Sequence, residues 1–85
     1  MPKRRVSILL RGQFTHEEYR RLCDALDEVG EVYNSMGNRE GEFTFTNIYL
    51  NTRHDQKSLE ALIRDRVRVE DLVIHMEKAD AENCN

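Results

Sequence analysis

The stretch Gly41–Leu50, GEFTFTNIYL, alternates phenylalanine with threonine and then runs into Ile48, Tyr49 and Leu50. A period of two marks a β-strand, because successive side chains of a strand point to opposite faces of its sheet. The phase of this strand decides which of its residues meet the core. If the strand is unbroken, Phe43, Phe45, Asn47, Tyr49 and Asn51 share a face, which sets asparagines among aromatics. A β-bulge near Thr46 and Asn47 instead groups Phe43, Phe45, Ile48 and Leu50 against the core and leaves Thr44 and Tyr49 on the other face. Burying unpaired amides costs more than one ladder irregularity, so the bulged phase is the expectation.

Working outward, Arg5–Gly12 (RVSILLRG) sets Val6, Ile8 and Leu10 on one face and Ser7, Leu9 and Arg11 on the other, again as a strand, with Gly12 at its end. In Phe14–Gly30, Tyr19, Leu22, Cys23, Leu26 and Val29 recur at helical spacing. Thr15 and Glu18 form a capping-box pattern at its start, and Phe14 and Tyr19 are spaced as a hydrophobic staple. Glu31–Met36 (EVYNSM) reads as a short second strand and Gly37–Gly41 (GNREG) as the loop into the third. Arg53–Val67 carries Leu59, Leu62, Ile63 and Val67 at helical spacing, with Asp55 or Ser58 as cap. The last strand, Glu70–Lys78, places Leu72, Ile74 and Met76 on one face and Val73, His75 and Glu77 on the other.

The order strand, helix, strand, strand, helix, strand predicts an α+β fold of the ferredoxin-like βαββαβ type. In it two helices cover one face of a four-stranded antiparallel sheet. A single domain is expected over residues 1–79, followed by a flexible tail at 80–85. A chain of 85 residues buries only about 60 to 65 % of its unfolded surface, so little apolar side chain is left over for a deep pocket. No apolar run approaches a membrane span and the start MPKRR lacks the apolar segment of a signal peptide, which implies a cytoplasmic protein with no membrane partner. Cys23 lies in the helical pattern and Cys84 in the tail. No disulfide between them is expected, and Cys23 reads as a small buried hydrophobe.

Catalytic patterns are scarce. His16, His54 and His75 form no pair at metal-ligand spacing, and there is no glycine-rich phosphate loop, nucleophile elbow or cysteine pair. No metal or cofactor is expected. His54 beside Asp55, with Arg53 and Lys57 nearby, has the parts of an acid/base site for cutting RNA, but such adjacency is common and a polar helix start is the preferred explanation.

Charge is more informative in its distribution than in its net value of −3. The topology brings Lys3, Arg4 and Arg5 to the end that holds Arg53 and Lys57, and gathers Arg11, Arg64, Arg66 and Arg68 at the other, as a patch for a charged partner or nucleic acid. The uncovered sheet face is expected to carry Leu9, Tyr33, Tyr49, Val73 and His75 as its binding residues. GEFTF has the look of the third-strand signature of an RNA-recognition motif, but the first strand offers only Ser7, Leu9 and Arg11 as a second stacking platform. Phe43 and Phe45 are therefore expected in the core.

RVSILLRG, THEEYRRLCDALDEVG, the third strand and EDLVIHMEKAD together resemble the GhoS family of antitoxins in their element pattern. That family has a small ferredoxin-like fold similar to the CRISPR-associated adaptation nuclease, and the resemblance implies an RNA-cleaving antitoxin. The adaptation nuclease has an acidic metal ligand at the end of its first strand; Arg11 and Gly12 stand there in this chain, so no catalytic residue carries over. Two functions follow. The favoured one is a small non-enzymatic binding module, a phage or bacterial regulator or inhibitor, that meets a protein partner or forms a homodimer. The alternative is an antitoxin that binds or cleaves RNA.

Overall fold

The computed structural model describes residues 3–77. The expected tail at 80–85, with Cys84, lies outside them. The elements run β1 (Arg4–Gln13), α1 (His16–Val29), β2 (Gly30–Glu40), β3 (Phe43–Thr52), α2 (Gln56–Arg66) and β4 (Arg68–Met76). The strands form one antiparallel sheet in the order β2-β3-β1-β4. This is the ferredoxin-like arrangement, with both helices on the sheet.

Each helix starts where its sequence offers an acceptor for the orphan amides of a first turn. Thr15 Oγ1 accepts from the Glu18 amide while Glu18 Oε1 accepts from the Thr15 amide, a complete capping box. Asp55, rather than Ser58, caps α2 and accepts from the Ser58 amide at 2.8 Å. Val67 ends α2 in extended conformation and is itself buried. The core is the layer between sheet and helices: Val6, Ile8 and Leu10 of β1, Ile48 and Leu50 of β3, Leu22 and Leu26 of α1, Leu59 and Ile63 of α2, closed by Phe14 and Val67. Cys23 is half-buried at its margin, and burial raises its thiol above the ordinary value.

The phase of β3 overturns the expected bulge. The strand alternates without a break: Thr44, Thr46, Ile48, Leu50 and Thr52 are buried, and Phe43, Phe45, Asn47, Tyr49 and Asn51 take the opposite face. Three threonines are tolerated on the core side because each hydroxyl donates to a backbone carbonyl. Thr44 Oγ1 reaches the Phe14 carbonyl at 2.9 Å, Thr46 Oγ1 that of Met36 at 2.7 Å, and Thr52 Oγ1 that of Val29 at 2.7 Å. Phe43 and Phe45 are thus not core residues, and Thr44 is not on the open face.

The ladder irregularities fall elsewhere. In β2, Tyr33 is the extra residue between Val32, opposite Leu50, and Asn34, opposite Tyr49. In β4, Glu70 is the extra residue where the pairing passes from Arg11↔Asp71 to Gly12↔Val69. β1 continues through Gly12 to Gln13, and there a Cβ on Gly12 would lie 2.1 Å from the Arg68 carbonyl oxygen, so only glycine fits. β2 is longer than expected, since Gly37–Glu40 belongs to the strand and only Gly41 and Glu42 make the turn. Gly41 has φ +63°, the left-handed conformation that such a two-residue turn demands.

Leu26 is fully buried between α1 and the sheet, so Leu26→Ala is expected to lose about 2 to 5 kcal/mol in urea unfolding through the cavity it leaves. A change within error would place Leu26 outside the core. Thr52→Val keeps the shape but strips the Val29 carbonyl of its donor and the His54 amide of its acceptor. It is expected to destabilise by about 1 to 3 kcal/mol, and a neutral result would mean that these hydroxyl bonds do not hold the strand's phase.

Candidate functional site

The phase of β3 determines what the uncovered face of the sheet displays. Strand pairing arranges it in cross-strand rows. One row is Met36, Asn47, Leu9 and Val73; the next is Asn38, Phe45, Arg11 and Asp71; on the other side lie Asn34 with Tyr33, then Tyr49, Ser7 and His75. Five large apolar side chains stand exposed here: Leu9 (53 %), Tyr33 (52 %), Met36 (58 %), Phe45 (38 %) and Val73 (59 %). All the exposed large apolar residues of the described chain fall on this one face. A patch of that kind on a small domain marks a surface that gains by being covered.

Four of the five residues expected from the sequence, Leu9, Tyr49, Val73 and His75, sit on the face by simple alternation. Tyr33 arrives there through the bulge of β2, and its ring lies 6.2 Å from that of Tyr49. Around them is a shallow concavity of about 140 Å³, which Arg5, Ser7, His75 and Glu77 also line. A larger concavity of about 610 Å³ lies over the first two rows, lined by Leu9, Arg11, Met36, Asn38, Phe45, Asn47, Asp71 and Val73. Met36, Asn38, Phe43, Phe45 and Asn47 were missed by the sequence reading. The unmodified alternation of β3 finds Phe43, Phe45 and Asn47, whereas Met36 and Asn38 follow only from the register of β2 on β3.

Arg11 organises the second row. Its guanidinium lies 5.6 Å from the centre of the Phe43 ring and 6.0 Å from that of Phe45, and its Nη2 meets Asp71 Oδ2 at 2.6 Å. Two polar atoms of the face are buried without a hydrogen-bond partner among the described residues: Arg11 Nε and Asn47 Oδ1. One is a donor and the other an acceptor, and both belong to residues that line the larger concavity.

The expected basic patch divides differently. The register Arg4↔Thr52 does bring Arg4 to the end that holds Arg53. However, Lys3 is paired with Glu31 at 2.6 Å, Arg5 with Glu77 at 3.9 Å, Arg64 with Glu60 at 3.1 Å and Arg66 with Asp65 at 3.7 Å. Arg68 contacts Gln13 at 3.5 Å. On the open face itself Arg5 and Arg11 have carboxylate partners, while Arg68, opposite Gln13, has none among the described residues, which leaves one unbalanced cation for phosphate.

Asp55, beside His54, serves as the cap of α2. The Asp55 carboxylate is committed to the helix cap, and the hydrogen bonds from Ser58 hold it below the ordinary carboxylate value. Among the described residues no three His, Cys, Asp or Glu side chains converge as a metal site, and no helix is long and apolar enough to cross a membrane. No protein-family model matches the chain, and a search of curated proteins finds no match.

The capping role of Asp55 has a pH signature. Its pKa is lower folded than unfolded, so its contribution is complete above the unfolded value and is lost as pH falls through the folded one. The stability advantage of the parent over Asp55→Asn, followed by thermal unfolding, is expected to hold at neutral pH and to shrink on acidification below the usual carboxylate range. An advantage independent of pH would show that the ionised carboxylate is not the cap.

Proposed function

We propose that this chain is a small non-enzymatic binding module whose open sheet face docks on a protein partner, as a regulator or inhibitor does. The observation that supports the reading is the concentration of the exposed large apolar side chains, Leu9, Tyr33, Met36, Phe45 and Val73, on one face around a concavity of about 610 Å³. Aromatic and methionine side chains of this kind are the usual anchors of protein interfaces. A partner suited to the concavity presents an apolar or aromatic side chain flanked by a donor for Asn47 Oδ1 and an acceptor for Arg11 Nε. Covering the face then relieves two orphaned polar atoms as well as the apolar surface.

A second reading rests on Phe43 and Phe45. With both rings on the open face, as bases require for stacking, the chain has the third-strand half of an RNA-binding platform, and Arg11 stands beside them on β1. The likeness to GhoS antitoxins in element order points the same way. Against it stand the pairing of Arg5 and Arg11 with carboxylates and the net charge of −3.

Val73→Glu separates the readings. A glutamate at this exposed position leaves the monomer's unfolding curve unchanged, but any complex that covers the face must desolvate it. The expected result is loss of the partner that the parent captures from its native host. Capture undiminished by Val73→Glu would exclude the open face as the docking surface. Binding of single-stranded RNA that falls steeply with salt and is abolished by Phe43→Ala would establish the second reading instead.

A further inference from the structure

The open face is one interaction surface; the outer edge of β2 is another, and it depends on backbone rather than on side chains. β2 pairs with β3 on one side only, and as the first strand of the sheet order its other side is uncovered. Every residue from Tyr33 to Glu42 is exposed, although the Tyr19 ring of α1 lies over Gly37 and Arg39 Nη1 donates to the Phe14 carbonyl at 3.2 Å.

The turn determines which backbone groups face outward. Glu40 and Phe43 flank a two-residue turn, and the flanking pair of such a hairpin exchanges both hydrogen bonds. Alternation then directs the amides and carbonyls of Asn38 and Met36 to β3. The Met36 carbonyl, which also accepts from Thr46 Oγ1, agrees with this phase. Ser35, Gly37 and Arg39 therefore turn their amides and carbonyls to the outside, where the Arg39 amide donates to Asn38 Oδ1 at 2.9 Å.

Exposed edges are ordinarily guarded by charge, proline or a bulge. The β4 edge is guarded in this way by Arg68, Glu70 and Asp71 and by the bulge at Glu70. From Val32 to Asn38, β2 has no charged residue and no proline. Its own bulge at Tyr33 ends the regular ladder on one side and the Gly41 turn ends it on the other, leaving Asn34–Glu40, whose midpoint is Gly37.

We propose that a second copy of the chain occupies this edge, with the two β2 strands antiparallel about a two-fold axis at Gly37. That register opposes Gly37 to Gly37, Ser35 to Arg39 and Met36 to Asn38 of the other copy, and no like charges face each other. The outward groups of Ser35 and Gly37 and the Arg39 carbonyl gain partners on both copies, and the Arg39 amide exchanges Asn38 Oδ1 for the Ser35 carbonyl of the other copy. A second copy fits better than an unrelated extended segment because the closed pair consumes both unguarded edges and leaves the guarded β4 edges outermost. A two-fold perpendicular to the sheet also keeps the two open faces on the same side, so Met36 and Asn38 bring the two larger concavities together across the junction.

The test uses Met36→Cys and Asn38→Cys, each in a Cys84→Ser background, with sedimentation equilibrium of the parent. The parent is expected to approach the mass of two chains as concentration rises. The mixed cysteine variants are expected to crosslink severalfold more than either alone. Ser35→Pro, which removes an outward amide without touching the bonds to β3, is expected to return the mass to one chain. Val73→Glu is expected to leave the pairing intact, which separates this interface from docking at the open face. A parent that stays at the mass of one chain, or crosslinking equal in the mixed and single samples, overturns the proposal, whichever way the open face behaves.

Discussion

Three hydroxyl-to-carbonyl hydrogen bonds, from Thr44, Thr46 and Thr52, hold β3 in its phase, and what each face of this small sheet displays follows from them. Because the side-chain period of a strand is two, a slip of one residue would exchange the two faces entirely. Each threonine ties β3 to a different part of the chain: the lead into α1 at Phe14, the neighbouring strand at Met36, and the end of α1 at Val29. A buried hydroxyl with an acceptor is tolerated, whereas buried Asn47 and Asn51 in the other phase would each carry several groups to satisfy. The core is consequently aliphatic, with Phe14 as its one buried aromatic residue, and the aromatic content of β3 is spent on the surface.

Displaced from the core, Phe43, Phe45 and Tyr49 give the open face its character. Arg11 lies against the two phenylalanine rings and pairs with Asp71, while Tyr33, thrown outward by its bulge, stands beside Tyr49. The face is thus apolar in its middle, with Arg5 and Arg11 each paired to a carboxylate. The remaining surface pairs are exposed, and each contributes little to stability.

Position in the sheet adds a second distinction. β3 and β1 are central and form the floor of the concavity, which all four strands line, whereas β2 and β4 are edges with opposite treatments, one uncharged over its middle and one bearing charges and a bulge. Face and edge are built from separate groups, side chains for one and backbone for the other. A variant can therefore disturb either alone.

Periodicity in the amino-acid sequence was enough to determine the element order, the start of α1 and the burial of Val6, Ile8, Leu10, Leu22 and Leu26, because these depend on local spacing and on caps within a few residues. The start of α2 stayed open between Asp55 and Ser58. Periodicity also placed Leu9, Tyr49, Val73 and His75 on the open face, since β1 and β4 alternate plainly and the expected bulge left Tyr49 on that face as the unbroken strand does. The phase of β3 at Phe43 and Phe45 was not decided locally. It turned on whether a buried threonine finds an acceptor, and the acceptors at Phe14, Met36 and Val29 lie 30, 10 and 23 residues away in the chain. The same holds for the length of β2, whose residues Gly37–Glu40 read as a loop by composition yet pair along β3 because Gly41 makes the turn. Propensity concerns neighbours in sequence; the face a side chain takes, and the partner its polar atoms find, belong to contacts that only the assembled sheet and helices create.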